Sequence, residues 1–237
     1  MVKAISFDVG ETLLRPYPGF GELVVRCCAL EGEWLGPNAS SELEHLADAF
    51  FTDLRNRGVT YSCSEEQSRK TWTTLYIKFL ERQGVHPSRV SHLADRLYLT
   101  FTEPANYRLF DDAQPVLDEL RQRGFRIGII SNWEAWLTRL LARTGLDRSL
   151  HFQAISGLVG SEKPSRQIFE AAVADAGLPP DEILHVGDSL ISDVQGAEQA
   201  GLQAILLDRR GHHQGRLANR VETLLDLLDL SILREPS

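Results

Sequence analysis

The feature that most constrains the fold is a set of short apolar runs at residues 2–9, 126–130, 182–186 and 203–207. Each is rich in Ile, Val or Leu and lacks clean polar alternation. Strands covered on both faces read this way, and such strands belong to parallel sheets flanked by helices. A fifth, weaker run lies at residues 152–155. Helical patterns separate most of the runs. Residues 113–123 carry Val116, Leu117 and Leu120 and stop before Gly124. Residues 165–176 carry Ile168, Phe169, Ala172 and Val173 and stop at Gly177, and residues 193–200 stop at Gly201. Glycine just past a helix end takes the left-handed cap conformation at little cost. Strand and helix in alternation, with short connections, predict an α/β fold with a doubly wound parallel sheet.

Between the first and second runs the pattern changes. Residues 16–108 show no convincing strand, only amphipathic helices. Leu43, Leu46, Ala47, Phe50, Phe51 and Leu54 share one helical face. Ser64 and Gln67 read as a capping box opening the next helix, whose stripe is Trp72, Leu75, Tyr76, Phe79 and Leu80. Val90, Leu93, Ala94, Leu97 and Phe101 make another stripe. The expected division is therefore an α/β core from residues 1–15 and 109–237, with an inserted all-helical domain at 16–108. Pro16 and Pro18 at one seam, and Glu103-Pro104 at the other, suit hinge segments. Residues 221–228 read as a closing amphipathic helix, followed by a polar end expected to fray.

With 43% hydrophobic and 24% charged residues, the 237-residue chain has ample material for a core. Its net charge of −8 argues against nucleic acid and acidic membrane surfaces as partners. An anionic substrate would need positive charge supplied by the site itself. Cys27, Cys28 and Cys63 are odd in number and lack metal-ligand spacing, so they read as free thiols, mostly buried, in a reducing compartment. The chain starts directly in a strand pattern, without a basic region and apolar signal core, and no run is long enough to span a membrane. A cytoplasmic location is expected. Nothing in the pattern sets an oligomeric state.

Chemistry concentrates where the strands end. Asp8, Ser131-Asn132 and Asp188 each follow an apolar run, and Lys163-Pro164 opens a helix. A polar residue ending a strand is most often a helix cap. Four such features in one chain matter because adjacent parallel strands bring their carboxyl ends into one crevice. Asp8 and Asp188 are then paired acids, which repel unless a cation or proton lies between them. Mg²⁺ suits hard oxygen ligands and a phosphate completing its shell. Ser131 and neighbouring backbone N–H groups can hold phosphate oxygens, and Lys163 balances the carboxylate and the substrate. A carboxylate attacking phosphorus gives an aspartyl-phosphate that water hydrolyses.

These residues resemble the motifs of the haloacid dehalogenase (HAD) superfamily, in the right order. Residues 7–13 (Phe7, Asp8, Val9, Gly10, Glu11, Thr12, Leu13) resemble its first motif and Ile130-Ser131-Asn132 its second. Glu162-Lys163-Pro164-Ser165 with Ile168-Phe169 resemble the third, and the stretch from His185 through Asp188 to Asp193 the fourth. Gly196-Ala197 and Ala200-Gly201 are typical of the helix after that fourth motif. Within the superfamily, the haloacid dehalogenase-like domain 3 group is the most similar. The resemblance implies a Rossmann-like core with the helical insert as cap, and a Mg²⁺-dependent phosphatase acting on a small phosphorylated molecule. It implies catalytic roles for Asp8 and Lys163, and phosphate contacts from Thr12, Ser131, Asn132 and Lys163. It further implies metal contacts from Asp8, Asp188 and the Gly10 carbonyl, with Asp193 behind them.

The departure is Gly10. Phosphatases of the superfamily usually carry a second Asp there, which protonates the leaving oxygen and later activates water. Glycine keeps the backbone carbonyl but not the acid. Metal and phosphate binding are expected to survive, with turnover reduced by roughly 10²–10⁴-fold. Glu11 is one candidate substitute, though a solvent-facing Glu11 is the simpler reading; Glu22 or a water are others. Dehalogenases of the superfamily also lack this Asp, but they usually lose the acids of the fourth motif, which this chain keeps. Phosphonatases use a cap lysine, and Lys70 and Lys78 read more simply as solvated helix positions. A third alternative is a catalytically weak protein that binds a ligand or partner. His212-His213 read as a solvated loop, His185 as a satisfied core histidine and Trp136 as packing. Trp133 is close enough in sequence to Ser131 to wall the pocket, and Tyr17, Phe20 and Asn106 lie near the seams.

Overall fold

The chain opens with β1 (Ala4–Phe7) and a short β2 (Leu14–Pro16), then runs through α1 (Phe20–Leu30), α2 (Ala39–Asn56), α3 (Glu65–Arg82) and α4 (Pro87–Phe101) before β3 (Tyr107–Leu109). After β3 come α5 (Ala113–Gln122), β4 (Arg126–Ser131), α6 (Leu137–Thr144), β5 (Phe152–Ile155), α7 (Ser156–Val159), α8 (Arg166–Ala176) and β6 (Ile183–Gly187). The series ends with α9 (Gly196–Gln199), β7 (Gln203–Leu207) and β8 (Arg220–Val221). This computed structural model describes residues 1–213 and 219–233. Two compact units result: Met1–Leu14 with Leu109–Ser237, and Arg15–Arg108. β2 and β3 form a separate two-stranded sheet where the chain passes between them.

The α/β unit carries one six-stranded sheet in the order β5-β4-β1-β6-β7-β8, with every pair parallel. β1 is buried at every position, which is why it reads as an apolar run without alternation, broken only by the buried Ser6. A core cluster joins Ala4, Ile130, Phe152 and Ile183 to Ile168, Phe169 and Ala172 of α8 and Ala197 of α9. α5 turns Val116, Leu117 and Leu120 inward and packs on β4. α8 starts at Ser165, whose hydroxyl accepts from Gln167 N, and stops at Gly177.

The helical unit has its own core. Val24, Cys27, Cys28, Leu43, Tyr76, Phe79, Leu80, Leu93, Ala94 and Leu97 pack together from α1 to α4. At the start of α3, Ser64 Oγ accepts from Gln67 N at 3.2 Å. None of the three cysteines is in a disulfide; Cys27 and Cys28 are buried and Cys63 half-buried. Burial, with the neighbouring Cys27, pushes the Cys28 thiol up to about 12, so it is a packing group and not a nucleophile. Among the described residues no helix is long and apolar enough to cross a membrane.

Two expectations need correction. The helix expected at 193–200 begins earlier, as a wide π turn at Leu190–Gln195 that runs into α9. It starts there because Ser189 Oγ accepts from Ser192 N at 3.1 Å. The closing helix expected at 221–228 does not form. Val221 instead pairs with Leu207 in the sheet, and two 3-10 turns, Leu225–Asp229 and Ser231–Leu233, come after it. The N–H groups between are taken by side chains: Asp226 accepts from Glu222 N and Thr223 N, and Asp112 from Leu224 N. The polar end at 234–237 lies outside the described residues.

Asp208 fastens this last strand. Its carboxylate accepts from His212 N (2.8 Å), His213 N (2.9 Å) and Arg220 Nε (2.7 Å), so the two histidines sit in a loop organised by their backbone. Burial opposes the charge, but Arg220 and the two N–H groups win and hold the carboxyl at about 2, below its ordinary 3.8. A carboxyl depressed in the folded state stabilises above its unfolded value and loses that contribution as pH falls through its folded value. Asp208→Asn is therefore expected to lower the unfolding free energy by about 2 kcal/mol at pH 7. Urea unfolding of both proteins checks this, with the difference shrinking as pH drops from about 4 toward about 2.

Candidate active site

The sheet order reverses at β1: β4 and β5 lie to one side, β6, β7 and β8 to the other. Such a switch point opens a crevice beyond the carboxyl ends of the strands. Phe7 stands in register with Ile129 and Val186, so Asp8, Ser131 and Asp188 emerge along one edge. Asp8 N donates to Val186 O at 2.8 Å, which carries the strand geometry up to the carboxylate.

Lys163 converges on this edge from the loop before α8. Its Nζ donates to Asp8 Oδ1 at 2.6 Å, Asp193 Oδ1 at 2.5 Å and Ile130 O at 2.8 Å, using all three ammonium protons. Asp8, Lys163 and Asp193 are all buried. Burial alone would lower the Lys163 pKa, but Asp193 and Asp8 reverse this and hold it charged, above its ordinary value. Burial would likewise raise Asp193, but Lys163 and His185 pull it below the usual carboxylate range. For Asp8, burial and the Asp193 charge outweigh Lys163, and the direction is upward.

A second layer holds this cluster. His185 is fully buried, with Nε2 3.1 Å from Asp193 Oδ1 and Nδ1 3.0 Å from Ser6 Oγ. Burial pushes its pKa down, so the ring is neutral. An ionised Asp193 can only accept, which places the ring proton on Nε2 and makes Nδ1 the acceptor of the Ser6 hydroxyl. Asp193 Oδ2 also accepts from Ser189 N at 2.9 Å. The carboxylate lies so close over Gly187 that a Cβ there would stand 2.3 Å from Asp193 Cγ.

Asn132 braces the opposite side. Its Nδ2 donates to Lys163 O at 2.9 Å, and its Oδ1 accepts from Lys163 N at 2.6 Å. Both ends of the amide thus hold the lysine backbone. Ser131 is buried at the end of β4, while the N–H of Trp133 is taken by Ser156 Oγ at 2.9 Å. The Thr12 hydroxyl is buried with no hydrogen-bond partner among the described residues. Arg209, which sequence reasoning missed, donates to Thr12 O at 2.9 Å and forks onto both Asp112 oxygens at 2.9 Å. Glu11 adopts φ +56, the left-handed region, and its Oε2 lies 3.5 Å from Arg210 Nη2 with both side chains exposed.

Asp188 is the open acid of the group, exposed at the end of β6. Crowding by protein, then the negative charges of Asp8 and Asp193, push its carboxyl well above its ordinary value. Because the side chain meets solvent, the charge repulsion is the part that persists. Among the described residues no group of three or more His, Cys, Asp or Glu side chains could enclose a metal ion. Two mutually repelling carboxylates with the Gly10 carbonyl would instead leave most of a cation's shell to water and ligand oxygens, the arrangement Mg²⁺ favours.

The family described as haloacid dehalogenase-like hydrolase matches residues 2–201. The chain is 28% identical over 208 residues to the human haloacid dehalogenase-like hydrolase domain-containing protein 3, covering 87% of this chain and 82% of that protein. It is 34% identical over 222 residues to the glyceraldehyde 3-phosphate phosphatase of Methanopyrus kandleri, covering 90% and 87%. Among solved structures, a HAD-hydrolase of Bacillus subtilis bound to magnesium superposes with a TM-score of 0.80 at 18% identity, covering 98% and 99% of the two chains.

Proposed function

Since the chain belongs to the haloacid dehalogenase-like hydrolases, we propose that it is a phosphatase acting on a small phosphorylated molecule, with Asp8 as nucleophile. The observation that carries this reading is Asp8 itself. It is a carboxylate at the switch point, fixed through Oδ1 by a buried Lys163, with a second, open acid at Asp188 on the next strand. In this reading an Asp8 oxygen forms a bond to phosphorus and the leaving oxygen departs with its electron pair. Water then attacks the phosphorus and frees Asp8. Lys163 aims the carboxylate and offsets negative charge, and Asn132 fixes the lysine backbone. The buried Thr12 hydroxyl and Ser131 suit phosphate oxygens. Asp8, Asp188 and the Gly10 carbonyl would hold Mg²⁺, which supplies positive charge against the developing phosphoryl charge. The helical unit at 16–108 is the cap.

Phosphate release from an aryl phosphate is expected to fall to background in EDTA and to return on adding excess Mg²⁺. Metal-independent halide release from a 2-haloacid, with no phosphate release, would replace this reading with a dehalogenase. The acids Asp188 and Asp193 favour phosphoryl chemistry, because displacing halide from carbon needs no cation.

A further inference from the structure

Two residues after Asp8, a Cβ built on Gly10 would lie 3.2 Å from Trp133 Cζ3 and 3.9 Å from its Cε3. The Gly10 backbone is not in the left-handed region, so its conformation would accept any residue. A side chain at position 10 meets the indole, which would have to give by a few tenths of an ångström. The Trp133 backbone that carries the ring is fixed by its neighbours. Ser156 Oγ accepts from Trp133 N and donates to Trp133 O at 3.0 Å, and Gly157 N donates to the same carbonyl at 2.9 Å. Gly157 permits the approach, since a Cβ there would stand 2.5 Å from Ala135 N. The ring packs edge-on against Trp136, with centroids 5.4 Å apart.

Three other acids along the strand ends have partners or another task. Asp193 is held by Lys163, His185 and Ser189, and Glu11 lies against Arg210. Asp188 is reserved for the cation in the reading above.

We infer that this site is specialised for phosphoryl donors whose leaving group departs as a stable anion, such as acyl, enol or aryl phosphates, and that Trp133 is the specificity-determining residue that enforces it. The inference rests on the phosphatase reading. When the P–O bond to the leaving group breaks without a proton donor, the electron pair stays on the departing oxygen. The rate then falls steeply as that oxygen becomes more basic. An aspartyl-phosphate is itself an acyl phosphate, so transfer from another acyl phosphate is nearly balanced in energy, whereas transfer from an alkyl ester is uphill. In the second half, water attacks phosphorus, Asp8 leaves as carboxylate, and the water proton passes to a phosphate oxygen. That half is slow without a fixed base, so the phosphoenzyme accumulates.

The test is a series of aryl phosphates of graded leaving-group basicity, with acetyl phosphate and an alkyl phosphate at the two extremes, run on the full chain with Mg²⁺. Wild type is expected to lose at least roughly 100-fold in kcat/KM from acetyl to alkyl phosphate. It is also expected to release a burst of leaving group close to one equivalent, with one phosphoryl group on the intact-protein mass. Gly10→Asp alone should not restore alkyl phosphate hydrolysis, whereas Gly10→Asp with Trp133→Ala should raise it and flatten the series. A flat wild-type series, with Asp8-dependent release throughout, overturns the inference and leaves the phosphatase reading standing. Rescue by Gly10→Asp alone overturns the role given to Trp133. Absence of release and of phosphoenzyme with every donor overturns both the inference and the reading beneath it.

Discussion

Asp8→Asn is expected to remove phosphate release by at least roughly 10⁴-fold while leaving the fold in place, because losing a nucleophile removes the reaction path and not merely a binding contact. Asn keeps the shape of Asp and an amide oxygen that can still accept from Lys163 Nζ. Lys163 also retains Asp193 and Ile130 O, so the buried ammonium keeps a counter-charge. The change therefore separates chemistry from stability. Phosphate release should vanish into background, with a urea midpoint close to wild type. Retained activity would mean that Asp8 does not attack phosphorus.

Lys163→Met is expected to fail in both respects. The ammonium lies 2.6 Å from Asp8 and 2.5 Å from Asp193, with all three groups buried. Removing it leaves two carboxylates facing each other and the Ile130 carbonyl without its donor. Breaking a buried ion pair from one side costs about 3–5 kcal/mol, because the remaining charge keeps its desolvation penalty. Losing the positive charge at the reacting carboxylate costs at least roughly 10²-fold in kcat. Urea unfolding and aryl phosphate kinetics read the two losses separately. Adding Asp193→Asn to Lys163→Met should recover much of the stability, since only one buried charge then remains, but none of the activity. If stability and activity recover together, Lys163 acts only by holding the fold.

The sheet is legible where strands are buried on both faces. β1, β4, β6 and β7 each carry a largely apolar run without polar alternation, so composition marks them, though the run at 2–9 extends beyond both ends of β1. β8 is not legible, because two residues hold no period. The closing stretch misleads for a related reason. Val221, Leu224, Leu227 and Leu228 have helical spacing, yet their N–H neighbours are claimed by carboxylates, one of them Asp112 from the far side of the chain. A pattern cannot register a partner more than a hundred positions away.

The site divides the same way. Asp8, Ser131, Asp188 and Lys163 announce themselves as polar residues at strand and helix boundaries. Ser6 and His185 do not: they sit inside apolar strands, and their pairing comes from β1 and β6 lying in register. Gly10 stands out in the sequence as a missing acid. What faces it, the Trp133 indole, comes from packing between segments more than a hundred positions apart.

In the proposed reaction the phosphoryl group passes through a covalent bond to Asp8. Mixing the protein with Mg²⁺ and acetyl phosphate, quenching in acid within the first turnover, and mapping the phosphoryl group by peptide mass tests it directly. One phosphoryl group is expected on the peptide containing Asp8 in the wild-type protein, and none in Asp8→Asn. A phosphoryl group on any other residue, or phosphate release at full rate with Asp8 unmodified throughout, would contradict it.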